Sequence, residues 1–107
     1  MPKLERDFQA SLIKELKDIL PGCFVFKSDP NYIQGIPDLI VLWQDHWAVL
    51  ECKRGSRSKR QPNQEYYVET LGKMSFAAFI DPTNKETVLG ELQRAFGVGR
   101  RSRFSQR

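Results

Sequence analysis

The sequence predicts an α/β domain with a mixed central β-sheet flanked by helices, and three observations point there. Apolar residues recur at helical spacing through the first twenty positions and again in two later stretches. Four short runs rich in Val, Ile, Phe and Trp read as strands. Two of these, Leu39 to Trp43 and Trp47 to Leu50, are parted only by Gln44-Asp45-His46 and read as a β-hairpin. The resulting order is α-β-β-β-α-β-α.

Each element has its own grounds. Leu4, Phe8, Leu12, Leu16 and Ile19/Leu20 form one helical stripe over Met1 to Leu20; Pro2 suits the first turn and Pro21-Gly22 ends the run. Glu5 falls on the flank of that stripe, whereas Glu15 and Asp18 sit among lysines and read as surface charges. Cys23 to Lys27 is a short strand, followed by the turn cluster Ser28-Asp29-Pro30-Asn31 and a loop through Tyr32, Gln34 and Gly35. After the hairpin, residues 54 to 60 form a basic Gly/Ser loop. A helix follows from Pro62, with Tyr67, Val68 and Leu71 expected inside and Gly72 expected to close it. Ser75 to Ile80 is a strand. Asp81-Pro82-Thr83 opens a last helix that turns Val88, Leu89, Leu92 and Phe96 inward and stops at Gly97. With 107 residues there is room for one domain, expected over residues 1–97, with 98–107 as a mobile basic tail.

Composition narrows the function classes. No apolar run approaches the roughly 18 residues of a membrane span, and no signal-peptide pattern opens the chain, so an intracellular protein is expected. Cys23 and Cys52 form no CxxC pair, which argues against a zinc site or a disulfide scaffold. The net charge of +4 is clustered. Lys53, Arg54, Arg57, Lys59 and Arg60 crowd one loop, and Arg100, Arg101, Arg103 and Arg107 crowd the tail. Clustered cations suit a phosphate-rich partner, because each neutralised phosphate releases a counterion. The alternative is a solvated surface.

The hairpin bears the charges that most need explaining. Strand alternation gives Asp38, Ile40 and Leu42 one face and Leu39, Val41 and Trp43 the other. On the second strand Trp47, Val49, Glu51 and Lys53 share a face. A two-residue turn at Gln44-Asp45, pairing Trp43 with His46, sets Asp38 opposite Glu51 with Lys53 diagonal to Asp38. A slip of one residue would send the two acids to different faces. No glycine marks the turn, so local signals leave the register open, and the paired register is chosen because it gathers the acids. Two carboxylates on one face make a hard-oxygen site suited to Mg²⁺, with Mn²⁺ as substitute. A lysine beside them can neutralise charge developing on a phosphate. Cys52 should point away from Glu51 into the core. His46 reads as a turn residue, and Trp43 and Trp47 suit a dimer face or core packing equally.

Pro37-Asp38, then Glu51-Cys52-Lys53 thirteen positions on, resembles the PD-(D/E)xK nuclease superfamily. The fuller pattern is similar to its VRR-NUC branch of small nuclease domains, many of them carried by phages. Gly35-Ile36-Pro37-Asp38-Leu39 resembles that branch's Gly-Val-Pro-Asp-Leu strand; Gln64, Tyr67 and Leu71 are similar to positions on its following helix, and Glu5 to the acid of its first helix. The resemblance covers roughly residues 4 to 80 and implies a restriction-endonuclease-like fold. It further implies Asp38, Glu51 and the Cys52 backbone carbonyl as metal ligands, joined by Glu5 as an accessory acid. Lys53 becomes the catalytic lysine and Gln64 a helper near metal or phosphate, with Gln61 competing for that role. The implied activity is Mg²⁺-dependent endonucleolytic cleavage of DNA, directed at branched substrates such as Holliday junctions by a homodimer. Symmetric cutting of a four-way junction needs two active sites, and one small domain holds one. Two other classes stand beside this reading: a nucleic-acid-binding module whose acids are structural, and a phage-encoded protein that docks on a host factor.

Overall fold

A computed structural model describes residues 5–98, and for Glu5 its backbone only. The elements are α1 (Glu5–Ile19), β1 (Phe24–Lys27), β2 (Leu39–Trp43), β3 (His46–Cys52), α2 (Pro62–Met74), β4 (Phe76–Ile80) and α3 (Lys85–Phe96). Four strands form one sheet in the order β1-β2-β3-β4. The first three are antiparallel neighbours, and β4 joins β3 in parallel, a pairing that needs the crossover α2 supplies. The α/β class and the element order are those the sequence predicts.

Spacing explains the core. Phe8, Leu12, Leu16 and Leu20 recur every fourth residue, so they line one side of α1 and its exit, and all four are buried. They meet Leu39, Val41 and Trp43 of β2, Ala48, Leu50 and Cys52 of β3, and Val88, Leu89, Leu92 and Phe96 of α3 in one cluster. Trp43 is fixed at both ends of its ring system: Nε1 donates to the Pro21 carbonyl at 2.9 Å, and its plane is parallel to Phe96. His46, a strand residue here, stacks on Phe96 at 4.8 Å between ring centroids. Both cysteines are free and buried. Val98, at the start of the stretch read as a tail, packs against the same core.

Among the described residues the opposite sheet face receives α2 alone. Gly72 of that helix lies over Ala77, where an added Cβ would sit 3.6 Å from the alanine Cβ. The helix therefore does not close at Gly72: the Ser75 amide still donates to the Leu71 carbonyl at 3.0 Å, and the Ser75 hydroxyl donates to the Trp47 carbonyl. Nor does α2 bury Tyr67, Val68 or Leu71 fully; all three are half-buried, because among the described residues no second layer covers the helix. At the last helix, Asp81 is more than an opening residue. It is buried, and its Oδ1 accepts the backbone N–H groups of Thr83 and Asn84 while the Asn84 side chain accepts from its own amide. This closed turn delays α3 to Lys85. Glu15, read as a plain surface charge, reaches Lys85 across the α1–α3 gap at 2.8 Å and raises that lysine's pKa by hydrogen bonding.

Two leucines of the hairpin lie on opposite faces and separate core from surface. Leu50 is fully buried and Leu42 is 39% exposed. Leu50→Ala is expected to lower unfolding free energy by about 2–5 kcal/mol, against less than about 1 kcal/mol for Leu42→Ala. Urea titrations with unchanged slope check both; equal losses would mean the faces are misassigned.

Candidate active site

Register is the foundation of the site. Trp43 pairs with His46 and Leu39 with Leu50, so the next step outward sets Asp38 opposite Glu51, the arrangement expected from the two acids. Gln44 makes the tight turn possible without glycine by adopting φ 56° itself, an uncommon but accessible state for a polar residue. Inter-strand partners share a face, so Asp38 and Glu51 look out on the α2 side of the sheet.

Each acid is held by the chain. Asp38 Oδ2 accepts the Cys52 amide at 2.9 Å, tying the mouth of β2 to the end of β3. The neighbouring backbone is locked too: the Ser28 amide donates to the Asp38 carbonyl and its hydroxyl to the Pro37 carbonyl. Burial pushes the Asp38 pKa up from its ordinary value, partly offset by that amide bond and by the Lys53 charge. Glu51 is only 3% exposed. Its Oε2 accepts from Gln64 Nε2 at 2.9 Å and lies 3.8 Å from Lys53 Nζ. The same lysine donates to Gln64 Oε1 at 2.7 Å and to the Lys59 carbonyl at 2.8 Å.

Gln64 is thus the hub. Its Nε2 holds the acid and its Oε1 holds the lysine, while Oε1 also accepts the Gln61 amide at 3.0 Å and closes the first turn of α2. This separates the two candidates for helper: Gln64 touches both motif residues, and Gln61 caps the helix. The family resemblance gave a position for the helper but not its mode of contact, which depends on how the basic loop folds. That loop turns at Gly55, whose carbonyl accepts from the Ser58 amide, and is stapled by the Lys53–Lys59 contact.

Gly35 brings a second loop to the site. At φ +89° it is in left-handed backbone, and a Cβ there would fall 2.4 Å from the Asn63 Cβ. Only glycine lets the chain before Pro37-Asp38 press on the first turn of α2. An open cleft of about 380 Å³ lies there, walled by Pro30, Gln34 and Gly35 on one side and by residues 61–64 on the other.

Asp38, Glu51, Lys53 and Gln64 are brought together. The backbone of Glu5 begins α1, but its side chain lies outside the described residues. Arg100, Arg101, Arg103 and Arg107 lie outside them as well. The Cys52 side chain faces the core, as alternation requires. Arg54, Arg57, Lys59 and Arg60 are exposed along the loop, although the Arg60 guanidinium stacks over the Phe79 ring at 3.9 Å, a contact the sequence did not signal. Among the described residues no group of three or more His, Cys, Asp or Glu gathers to hold a metal ion, so Asp38 and Glu51 stand as a pair. Comparison with family models, curated proteins and solved structures finds no match to this chain.

The raised pKa of Asp38 has a consequence for stability. Folded protein holds this proton to higher pH than unfolded chain, so ionisation costs stability as pH rises through the window above the ordinary carboxylate pKa. Asp38→Asn keeps an oxygen for the Cys52 amide and removes that cost. Its Tm is expected to exceed that of the wild type at neutral pH without added metal, and the gain to shrink as pH falls through that window. Scanning calorimetry across acidic to neutral pH checks this; a gain that grows on acidification would reverse the sign.

Proposed function

We propose that the protein is a Mg²⁺-dependent endodeoxyribonuclease of the PD-(D/E)xK, VRR-NUC-like type. Its substrate is branched DNA, and it works as a homodimer. The observation that carries this reading is the meeting of Asp38, Glu51 and Lys53 on one sheet face beside a loop of exposed cations.

The donor chemistry fits the ion. Mg²⁺ takes one or two protein carboxylates and leaves its other positions to water and phosphate oxygens; Asp38 and Glu51 supply two carboxylates, and the Cys52 carbonyl is the third ligand the motif implies. When bound, the ion supplies Lewis acidity and a more acidic water. The chain's own residues do the rest. Lys53, already within 3.8 Å of Glu51, offers its ammonium to the scissile phosphate and offsets the charge that grows there. Gln64 holds that ammonium and the Glu51 carboxylate in fixed relation, so that neither must be ordered at the moment of reaction. Arg54, Arg57 and Lys59 face solvent from the loop that follows and neutralise flanking phosphates. Hydrolysis then attaches water oxygen to phosphorus and releases one sugar oxygen with a proton.

Purified protein is expected to cut DNA with Mg²⁺ or Mn²⁺ and to stop on chelation. Asp38→Ala, Glu51→Ala and Lys53→Ala should each reduce cleavage by at least about a hundredfold. On a panel of four-way junction, flap, single-stranded and linear duplex DNA, the junction should be cut fastest. Tight DNA binding without cleavage under either metal would favour the binding module, and cleavage that survives all three substitutions would sink the assignment. Arg54→Ala and Arg57→Ala should each flatten the plot of log affinity against log salt by about one unit.

A further inference from the structure

The sheet face that bears the site is only half covered. α2 lies over β3 and β4, and Gln64, Gly72 and Ser75 mark its track across them. Nothing among the described residues lies over Phe24 and Phe26 of β1 or Leu42 of β2, which are 65%, 50% and 39% exposed. Register puts all of them on one face: Phe24 pairs with Leu42 and Phe26 with Ile40, and Leu42 pairs in turn with the half-buried Trp47. The two Phe rings are parallel within 8°, with centroids 6.4 Å apart. A contiguous exposed sheet face of this kind marks an interaction surface, unlike scattered surface leucines.

Charge decides what covers it. The five strand residues of this patch, Phe24, Phe26, Ile40, Leu42 and Trp47, include no cation; the single exposed Lys27 lies at the end of β1, whereas four exposed basic residues, Arg54, Arg57, Lys59 and Arg60, crowd the loop after Lys53. A nucleic-acid backbone therefore finds its counter-charge there and not on the patch. A neutral apolar face is complementary to itself, and it lets two chains of net charge +4 meet with their charges kept to the rim. Area agrees. The exposed parts of Phe24, Phe26 and Leu42 come to roughly 300 Å², at about 150–250 Å² per large side chain. That is a substantial apolar centre for an interface of about 800 Å² per partner, with Ile40, Trp47 and a polar rim still to be added. Contact by sheet edge is discouraged, since β1 has four residues and ends in the exposed Lys27.

We infer that the exposed β1–β2 face is where a second copy of this chain docks, sheet face against sheet face about a two-fold axis. Phe24 and Phe26 are its anchors. Because Asp38 and Glu51 end the same face, the two sites of such a dimer both flank its interface. The inference rests on the dimeric part of the proposed function and not on its chemistry, so mass and cleavage are read separately.

Sedimentation of the full chain over a wide concentration range tests it. Wild type is expected to move from one-chain to two-chain mass as concentration rises, with Trp47 emission shifting to the blue as the face is covered. The double variant Phe24→Glu/Phe26→Glu should keep the wild-type circular dichroism and weaken the dimer at least about thirtyfold. If that variant fails to fold, Leu42→Lys takes its place with the same expectation. Tyr66→Ala, which trims a 59%-exposed aromatic on α2, should leave the dimer intact. Three outcomes overturn the inference: wild type staying single at every concentration, a charged-face variant that folds and dimerises normally, or a monomer whose single-stranded DNA binding is lost in that variant. Loss of cleavage with an intact dimer would instead overturn the nuclease reading alone.

Discussion

Hydrogen bonding across a two-residue turn sets everything that follows in this molecule. Because strand side chains alternate, the pairing of Trp43 with His46 decides at one stroke which residues of β2 and β3 face α1 and α3 and which face α2. One register puts Leu39, Val41, Ala48 and Leu50 into the core and leaves both acids on the other side. A slip of one would bury Ile40 and Leu42 in place of their neighbours and split Asp38 from Glu51. Packing and chemistry are thus fixed by the same constraint, and Gln44 bears its local cost in left-handed backbone.

The two faces of the sheet serve different ends. The α1–α3 face is closed and apolar, with Leu12, Leu16, Leu50 and Leu92 wholly out of solvent. The α2 face is thinly covered and holds the buried carboxylate of Glu51, the raised pKa of Asp38 and the ammonium of Lys53. Desolvating such groups costs more than their pairing returns unless hydrogen bonds satisfy them. Here one amide does much of that, since Gln64 donates to the acid and accepts from the base. A glutamine is suited to this as no charged residue is: it presents both polarities at once and adds no net charge. The same oxygen also accepts the Gln61 amide, so the helix start and the ion pair are one hydrogen-bonded unit.

Much of the fold was legible because its signals are periodic. Phe8, Leu12, Leu16 and Leu20 could face only one way on a helix, and the apolar runs of β2 and β3 could alternate only in two registers. What the sequence left open depends on tertiary partners. Gly72 looked like a helix stop, but its small size serves contact with Ala77, and the helix runs on to Met74. Asp81 looked like a plain opening residue, yet it closes a buried turn whose bonds come from Thr83 and Asn84. At the site, strand alternation grouped Asp38, Glu51 and Lys53, and the family resemblance added Gln64. Neither could show that Lys53 would bind the Lys59 carbonyl or that Arg60 would settle on Phe79, because both depend on the path of a loop with no period to read.

That loop path links the binding surface to the chemistry. Lys53 is the anchor of the basic loop as well as a member of the motif: its ammonium holds the Lys59 carbonyl, and the cations at 54, 57 and 59 ride on the segment so held. Gly35 acts from the other side, since any side chain there would drive the preceding loop off Asn63 and loosen the first turn of α2 that presents Gln64. A change far from the acids can therefore reach them in two contacts, through Asn63 to Gln64 or through Lys59 to Lys53. Glycine at 35 and lysine at 53 are thus required by the same unit, the first because it has no side chain and the second because its ammonium can donate to the loop, to Gln64 and toward Glu51 at once.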